Sequence, residues 1–97
     1  MRKIAKVSDI HDTLCVSSGF KSFALFKIKG TVYCIDNRCT HLFGPLCKGK
    51  TKGFNVACPW HGSTFDIRTG KVKKGPTKKP IKSYKVTIKD GDIYIDI

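Results

Sequence analysis

Cys39-Thr40-His41 and Cys58-Pro59-Trp60-His61 are the two stretches that decide how this chain is read. Sixteen residues lie between them. Each puts one thiol and one imidazole into a short loop, and each lies among turn-forming residues, with Gly44, Pro45, Gly49 and Gly53 after the first and Pro59 and Gly62 around the second. A single Cys-x-His is weak evidence of a metal site; two such pairs in this order are strong evidence. Two Cys and two His suit either a tetrahedral zinc or a cluster of two irons and two sulfides. Zinc sites usually pair like with like, Cys with Cys and His with His. One Cys and one His per loop instead suits a diiron centre in which each loop gives one ligand to each iron.

Outward from the loops, the chain reads as short strands. Lys3 to Val7 is one. Lys21 to Ile28 is Phe-rich and apolar on both faces in its middle, the pattern of a buried strand. Lys29-Gly30 is a turn, and Thr31 to Ile35 returns as the hairpin partner. Asp36-Asn37-Arg38 ends that strand just before Cys39. Residues 39–53 read as a loop region. Phe54 to Ala57 alternates into Cys58, and Thr64 to Ile67 is a strand closed by Arg68-Thr69-Gly70. Gly75 to Pro80 is an extended connector. Tyr84, Val86 and Ile88 then alternate with Lys85, Thr87 and Lys89 as one strand. Asp90-Gly91 is a hairpin turn, and Ile93, Ile95 and Ile97 continue the alternation. No helical period is present, and the lack of Glu and Gln argues against long helices. The expectation is an all-β single domain over residues 1–97. Its base is 1–36 and 68–97, and a loop-rich insertion at 37–67 is tied together by its metal.

Taken together, Cys39-Thr40-His41-Leu42, Pro45-Leu46, Gly49, Cys58 to Asp66 and Thr69-Gly70 resemble the Rieske-type 2Fe–2S ferredoxins. The resemblance implies three stacked antiparallel sheets with a cluster-binding subdomain inserted in a base domain. It implies one 2Fe–2S cluster, with Cys39 and Cys58 on the inner iron and His41 and His61 on the outer, solvent-facing iron. Leu42, Pro45 and Trp60 would surround the cluster. Ser63 aligns with a serine that bonds a bridging sulfide in high-potential relatives. Phe65 stands where those relatives place a tyrosine bonded to a cysteine sulfur, so one donor is kept and one is lost. Two His in place of two Cys raise the potential to about −150 to +300 mV, and this chain is expected low in that range. Solvent-facing imidazoles would make the potential fall at alkaline pH. Relatives from cytochrome bc-type complexes carry a disulfide across the two loops; here those positions are Gly44 and Trp60. The chain is therefore expected to lack a disulfide.

Composition narrows the function. The chain of 97 residues has 19 Lys+Arg against 7 acids, all Asp, for a formal charge of +12. Between Lys48 and Lys89 twelve basic residues face one acid, Asp66. A small domain buries only roughly 60–65% of its surface and often needs a staple. No apolar run approaches the ~18 residues of a membrane span, and no secretory signal is present, so a cytoplasmic location with reduced thiols is expected. Cys15 and Cys34 read as buried small hydrophobes, Cys47 as inert, and His11 as a surface residue. The resemblance implies a soluble, monomeric one-electron carrier between a reductase and an oxygenase or other oxidoreductase, without a substrate site of its own. The basic excess suits acidic redox partners, with Lys48, Lys50 and Lys52 near the histidine tip. The alternative is a basic zinc module that binds nucleic acid. It is disfavoured because the Lys-rich half has few interleaved aromatics, and neither nucleic acid nor membrane is expected as a partner.

Overall fold

In a computed structural model, residues 1–38, 44–60, 62–75 and 77–96 are described. The strands are β1 (Arg2–Lys6), β2 (Thr13–Ser18), β3 (Lys21–Ile28), β4 (Thr31–Asp36), β5 (Lys50–Lys52), β6 (Asn55–Ala57), β7 (Thr64–Asp66), β8 (Val72–Lys74), β9 (Ser83–Tyr84), β10 (Val86–Lys89) and β11 (Asp92–Ile95). Short 3-10 turns occupy Val7–Asp9 and Leu46–Lys48. The strands form three antiparallel sheets, ordered β1-β11-β10, β2-β3-β4-β9 and β5-β6-β7-β8. No helix is long and apolar enough to cross a membrane among the described residues.

The hairpins follow from local chemistry. Lys29 and Gly30 both take positive φ (52° and 82°), as do Asp90 and Gly91 (52° and 79°). That is the pattern of a two-residue turn whose twist matches its strands. The β3 strand organises the interior. Its side chains alternate between two faces. Phe23 and Leu25 enter one core with Ile10, Val32, Cys34, Tyr84, Ile93 and Ile95. Ala24 and Phe26 enter a second core with Ile35, Leu46, Val56, Cys58, Phe65 and Ile67. Burying each of the large side chains contributes about 1.5–3 kcal/mol.

Three expectations are corrected. The alternating segment from Tyr84 to Ile88 is two strands, not one. Ser83 and Tyr84 pair with β4, where the Tyr84 hydroxyl donates to Asp36 Oδ1 at 2.6 Å. After Lys85 the chain joins β11 instead, leaving Ile88 half-exposed. Strands β2, β5 and β8 were not expected. Lys50–Lys52 and Val72–Lys74 are too polar to carry a hydrophobic period, and pairing with β6 and β7 makes them strands. The third sheet therefore runs past residue 67 into β8.

The third correction concerns the cysteines. The chain is not disulfide-lacking: Cys15 and Cys47 are bonded, with Cα atoms 5.3 Å apart. Cys15 is exposed rather than buried, because β2 is an edge strand. Its cross-strand partner is Ala24, so it stands on the face that meets the core holding Cys47. The bond joins the base to the turn Leu46–Lys48 and does not cross the two metal-type loops. Cys34 is buried as expected.

Candidate metal centre

Each loop is closed by a neck of backbone hydrogen bonds. At the first, Leu46 N–H donates to Asn37 O at 2.6 Å, and Arg38 and Pro45 form a bridge. Asn37, nearly buried, adds its side chain: Oδ1 accepts from Cys47 N–H at 2.7 Å. Its own N–H donates to Ser22 O at 3.1 Å, tying the neck to the start of β3. At the second neck, Cys58 N–H donates to Ser63 O at 2.7 Å and Gly62 N–H to Cys58 O at 2.9 Å. Gly62 has φ of 76°, which closes the turn where a side chain would be strained.

The two necks meet. Cys58 is 3% exposed. A Cβ built on Gly44 would lie 2.5 Å from Cys58 Sγ and 3.3 Å from the Trp60 ring. Only glycine lets the first loop approach this thiol so closely. Gly44 and Trp60, the positions of the absent inter-loop disulfide, are thus packed against each other. Of the sequence-derived site residues, Cys39, His41, Leu42 and His61 lie outside the described residues. Cys58, Ser63 and Phe65 are buried, and Pro45 is half-buried. Trp60 is 59% exposed, and its ring packs against Gly44. No cluster of metal-type side chains occurs among the described residues alone.

The donor set suits a thiolate-bound group. The Cys58 sulfur sits in an apolar core at the junction of two loops, each built around one Cys and one His. Ser63 Oγ accepts from Thr77 N–H at 3.2 Å, a bond that leaves the hydroxyl proton available as a donor. Phe65 offers no polar atom.

Charge is organised just beyond the second loop. Asp66, buried on β7, accepts from Arg68 through its backbone N–H (2.8 Å), Nε (3.2 Å) and Nη2 (3.1 Å). Lys73 Nζ lies 3.8 Å away. The Arg68 bonds hold the Asp66 carboxyl below its ordinary range, against the opposing effect of burial. Arg68 is exposed and lies over the Phe54 ring at 4.2 Å. In the base, burial first and Asp36 second push the Cys34 thiol up to about 12. Burial and the bond to Asp36 likewise raise the Tyr84 phenol.

Asn37, Gly44 and Thr77 were not singled out as site residues. Asn37 falls between a strand and a Cys, the one local signal that it could cap a loop neck. Gly44 and Thr77 act by three-dimensional proximity, which spacing does not reveal.

The model of the Rieske [2Fe-2S] domain matches residues 2–85. The ferredoxin component of a naphthalene 1,2-dioxygenase system from Pseudomonas putida is 36% identical over 86 residues, 89% of this chain and 83% of that one. The ferredoxin subunit of a 3-phenylpropionate/cinnamic acid dioxygenase from Photorhabdus laumondii is 39% identical over 76% of this chain and 71% of its own. Among solved structures, a ferredoxin from Sphingomonas yanoikuyae B1 superposes with a TM-score of 0.93 at 36% identity, covering 99% of this chain and 97% of that one. A complex of reduced oxygenase and oxidised ferredoxin of carbazole 1,9a-dioxygenase gives 0.89 at 26% identity, covering 98% and 100%. With this family match on a fold of three antiparallel sheets, the chain belongs to the Rieske [2Fe-2S] domain family, as a ferredoxin that carries electrons on one cluster of that type rather than converting a substrate.

Proposed function

We propose that Cys39 and Cys58 hold one iron, His41 and His61 hold the outer iron, and the chain passes single electrons from a reductase to the terminal oxygenase of a dioxygenase system. The observation that carries this reading is the buried Cys58 sulfur, seated against Gly44 where the two loop necks meet. The cluster, when bound, takes up and gives back one electron. The chain's own residues set its surroundings. Gly44 lets the first loop reach Cys58. Ser63 supplies one hydroxyl donor, and Phe65 supplies none, which lowers the potential relative to a site with a second donor. Relatives named as ferredoxin components of dioxygenase systems support the oxygenase as acceptor. The chain works as one cytoplasmic, monomeric domain.

The partner surface is acidic on this reading. Lys50 and Lys52 line a depression with Thr51, Asn55, Ala57 and Thr64, and Ala57 leads straight into Cys58. Lys48 precedes them at the end of the first neck. Basic side chains beside an electron port steer an acidic partner, and steering of this kind weakens as salt rises. Electron transfer to the acceptor should therefore slow steeply between low and physiological salt. Rates independent of salt would return the basic excess to a solubility role.

The deciding experiment is an EPR spectrum of the reduced protein. A rhombic signal with the low average g value of a diiron centre bound by two Cys and two His is expected. A colourless, zinc-loaded protein would overturn the assignment.

A further inference from the structure

We infer that the Cys15–Cys47 bond is a thiol–disulfide exchange site, opened at Cys15 by a dithiol reductant, that clamps the neck of the first loop onto the base. Its two ends differ. Cys15 is exposed on the edge strand β2, whereas Cys47 is buried in the core that also holds Cys58. The Cys15 end, at the open edge of the sheet, is the end of the bond on which an incoming thiolate would act. The thiolate attacks Cys15 Sγ and forms a mixed disulfide. The Cys15–Cys47 bond breaks, and Cys47 leaves as a thiolate that takes up a proton. The second thiolate of the reagent attacks its own partner sulfur in the mixed disulfide and releases Cys15. The protein gains two electrons and two protons, and the dithiol becomes a disulfide.

What the bond restrains follows from the neck. The backbone N–H of Cys47 is already held by Asn37 Oδ1, and that of Leu46 by Asn37 O. These bonds fix residues 45–47 against 37–38, at the root of the loop that carries Cys39 and His41. The disulfide ties the same three residues to a strand 32 positions away in sequence. Opening it removes that covalent tie and leaves the neck to its hydrogen bonds and to the packing of Leu46 and Cys47 in the core. This consequence rests on the proposed ligand set, since it is the loop of Cys39 and His41 that loosens.

The test uses the holoprotein, incubated with and without dithiothreitol, then quenched in acid, denatured and alkylated. Of five cysteines, two lie in the bridge. The bridged form takes three labels and the opened form five. Dithiothreitol is expected to convert three labels to five without denaturant. Opening should lower Tm by roughly 10 °C or more. It should also speed cluster loss to a chelator several-fold, and raise hydrogen exchange at the Leu46 and Cys47 amides. Cys15→Ser should behave as the opened form and ignore dithiothreitol. The inference is overturned if air-oxidised protein takes five labels, if the bridge opens only in denaturant, or if opening leaves Tm and amide exchange unchanged. An absent diiron EPR signal in the bridged form would sink the ligand assignment alone, because labels, Tm and amide exchange still decide the clamp.

Discussion

The base and the loop-bearing region are held together in different ways. In the base, strands such as β2, β3 and β4 run for six, eight and six residues, and their pairing encloses an apolar core directly. In the loop-bearing region every strand of β5 to β8 has three residues. Strands so short cannot fix a register through side-chain alternation alone. That region relies instead on particular bonds: the Asn37 amide, the Asp66–Arg68 pair, the disulfide, and the close seat of Gly44 on Cys58. The base spreads its order over many packed side chains. The loop-bearing region concentrates its order in single side chains, which leaves it sensitive to one change.

Substitutions can break this contrast at either end. The largest effect is expected from Gly44→Val, whose branched side chain meets the Cys58 sulfur. Iron content and visible absorbance should fall below about a tenth of normal, while far-ultraviolet circular dichroism keeps the strand signature of the base. Next is Leu25→Ala in the base core, which should cost about 2–5 kcal/mol in denaturant titration. Because Leu25 faces the core away from Cys58, the midpoint potential should not move. Asn37→Ala should cost about 1–3 kcal/mol, through the unsatisfied Cys47 amide. Unlike Leu25→Ala, it should also speed cluster loss; equal cluster retention in the two variants would erase the contrast.

Two finer tests sharpen it. Phe65→Tyr adds a hydroxyl to the wall shared with Cys58. If that hydroxyl donates to a ligand sulfur, a bond of about 1 kcal/mol raises the midpoint potential by on the order of 40 mV. Redox titration reads this, and a wild-type midpoint well above +100 mV would contradict the low position expected in the family range. The smallest effect belongs to Asp66. Its carboxyl is held below the ordinary value near 4, so the stabilisation is fully present above that pH. It is lost as pH falls through the depressed value. Asp66→Asn should flatten the acid side of the Tm profile and leave Tm above pH 6 lower by a few degrees at most. An unchanged acid limb would show that Arg68 does not act on stability through this carboxyl.

The sequence carried much of this. The Phe-rich run Phe23 to Phe26 is apolar at successive positions, and only a strand with a core on each side can bury all of it; the structure has those two cores. The Lys29-Gly30 and Asp90-Gly91 turns were readable because positive φ favours Gly and tolerates few other residues. The cluster type was legible because two Cys-His pairs are a long motif. What escaped was decided in three dimensions. Cys15 and Cys47 have no local signal of partnership, since connectivity is not written in spacing. Lys50–Lys52 is a strand only because Asn55–Ala57 lies beside it. The change of sheet at Lys85 depends on Tyr84 finding Asp36 across 48 positions of chain.

The two faces of β3 have one more consequence, for cooperativity. Phe23 and Leu25 are lost from one core, and Ala24 and Phe26 from the other, by melting the same eight residues. Neither core can dissolve while the other keeps that strand intact. Despite its two unlike halves, the chain should melt as one unit, with calorimetric and van't Hoff enthalpies in agreement. The most slowly exchanging amides should lie in the middle of β3, where exchange reports unfolding of the whole molecule.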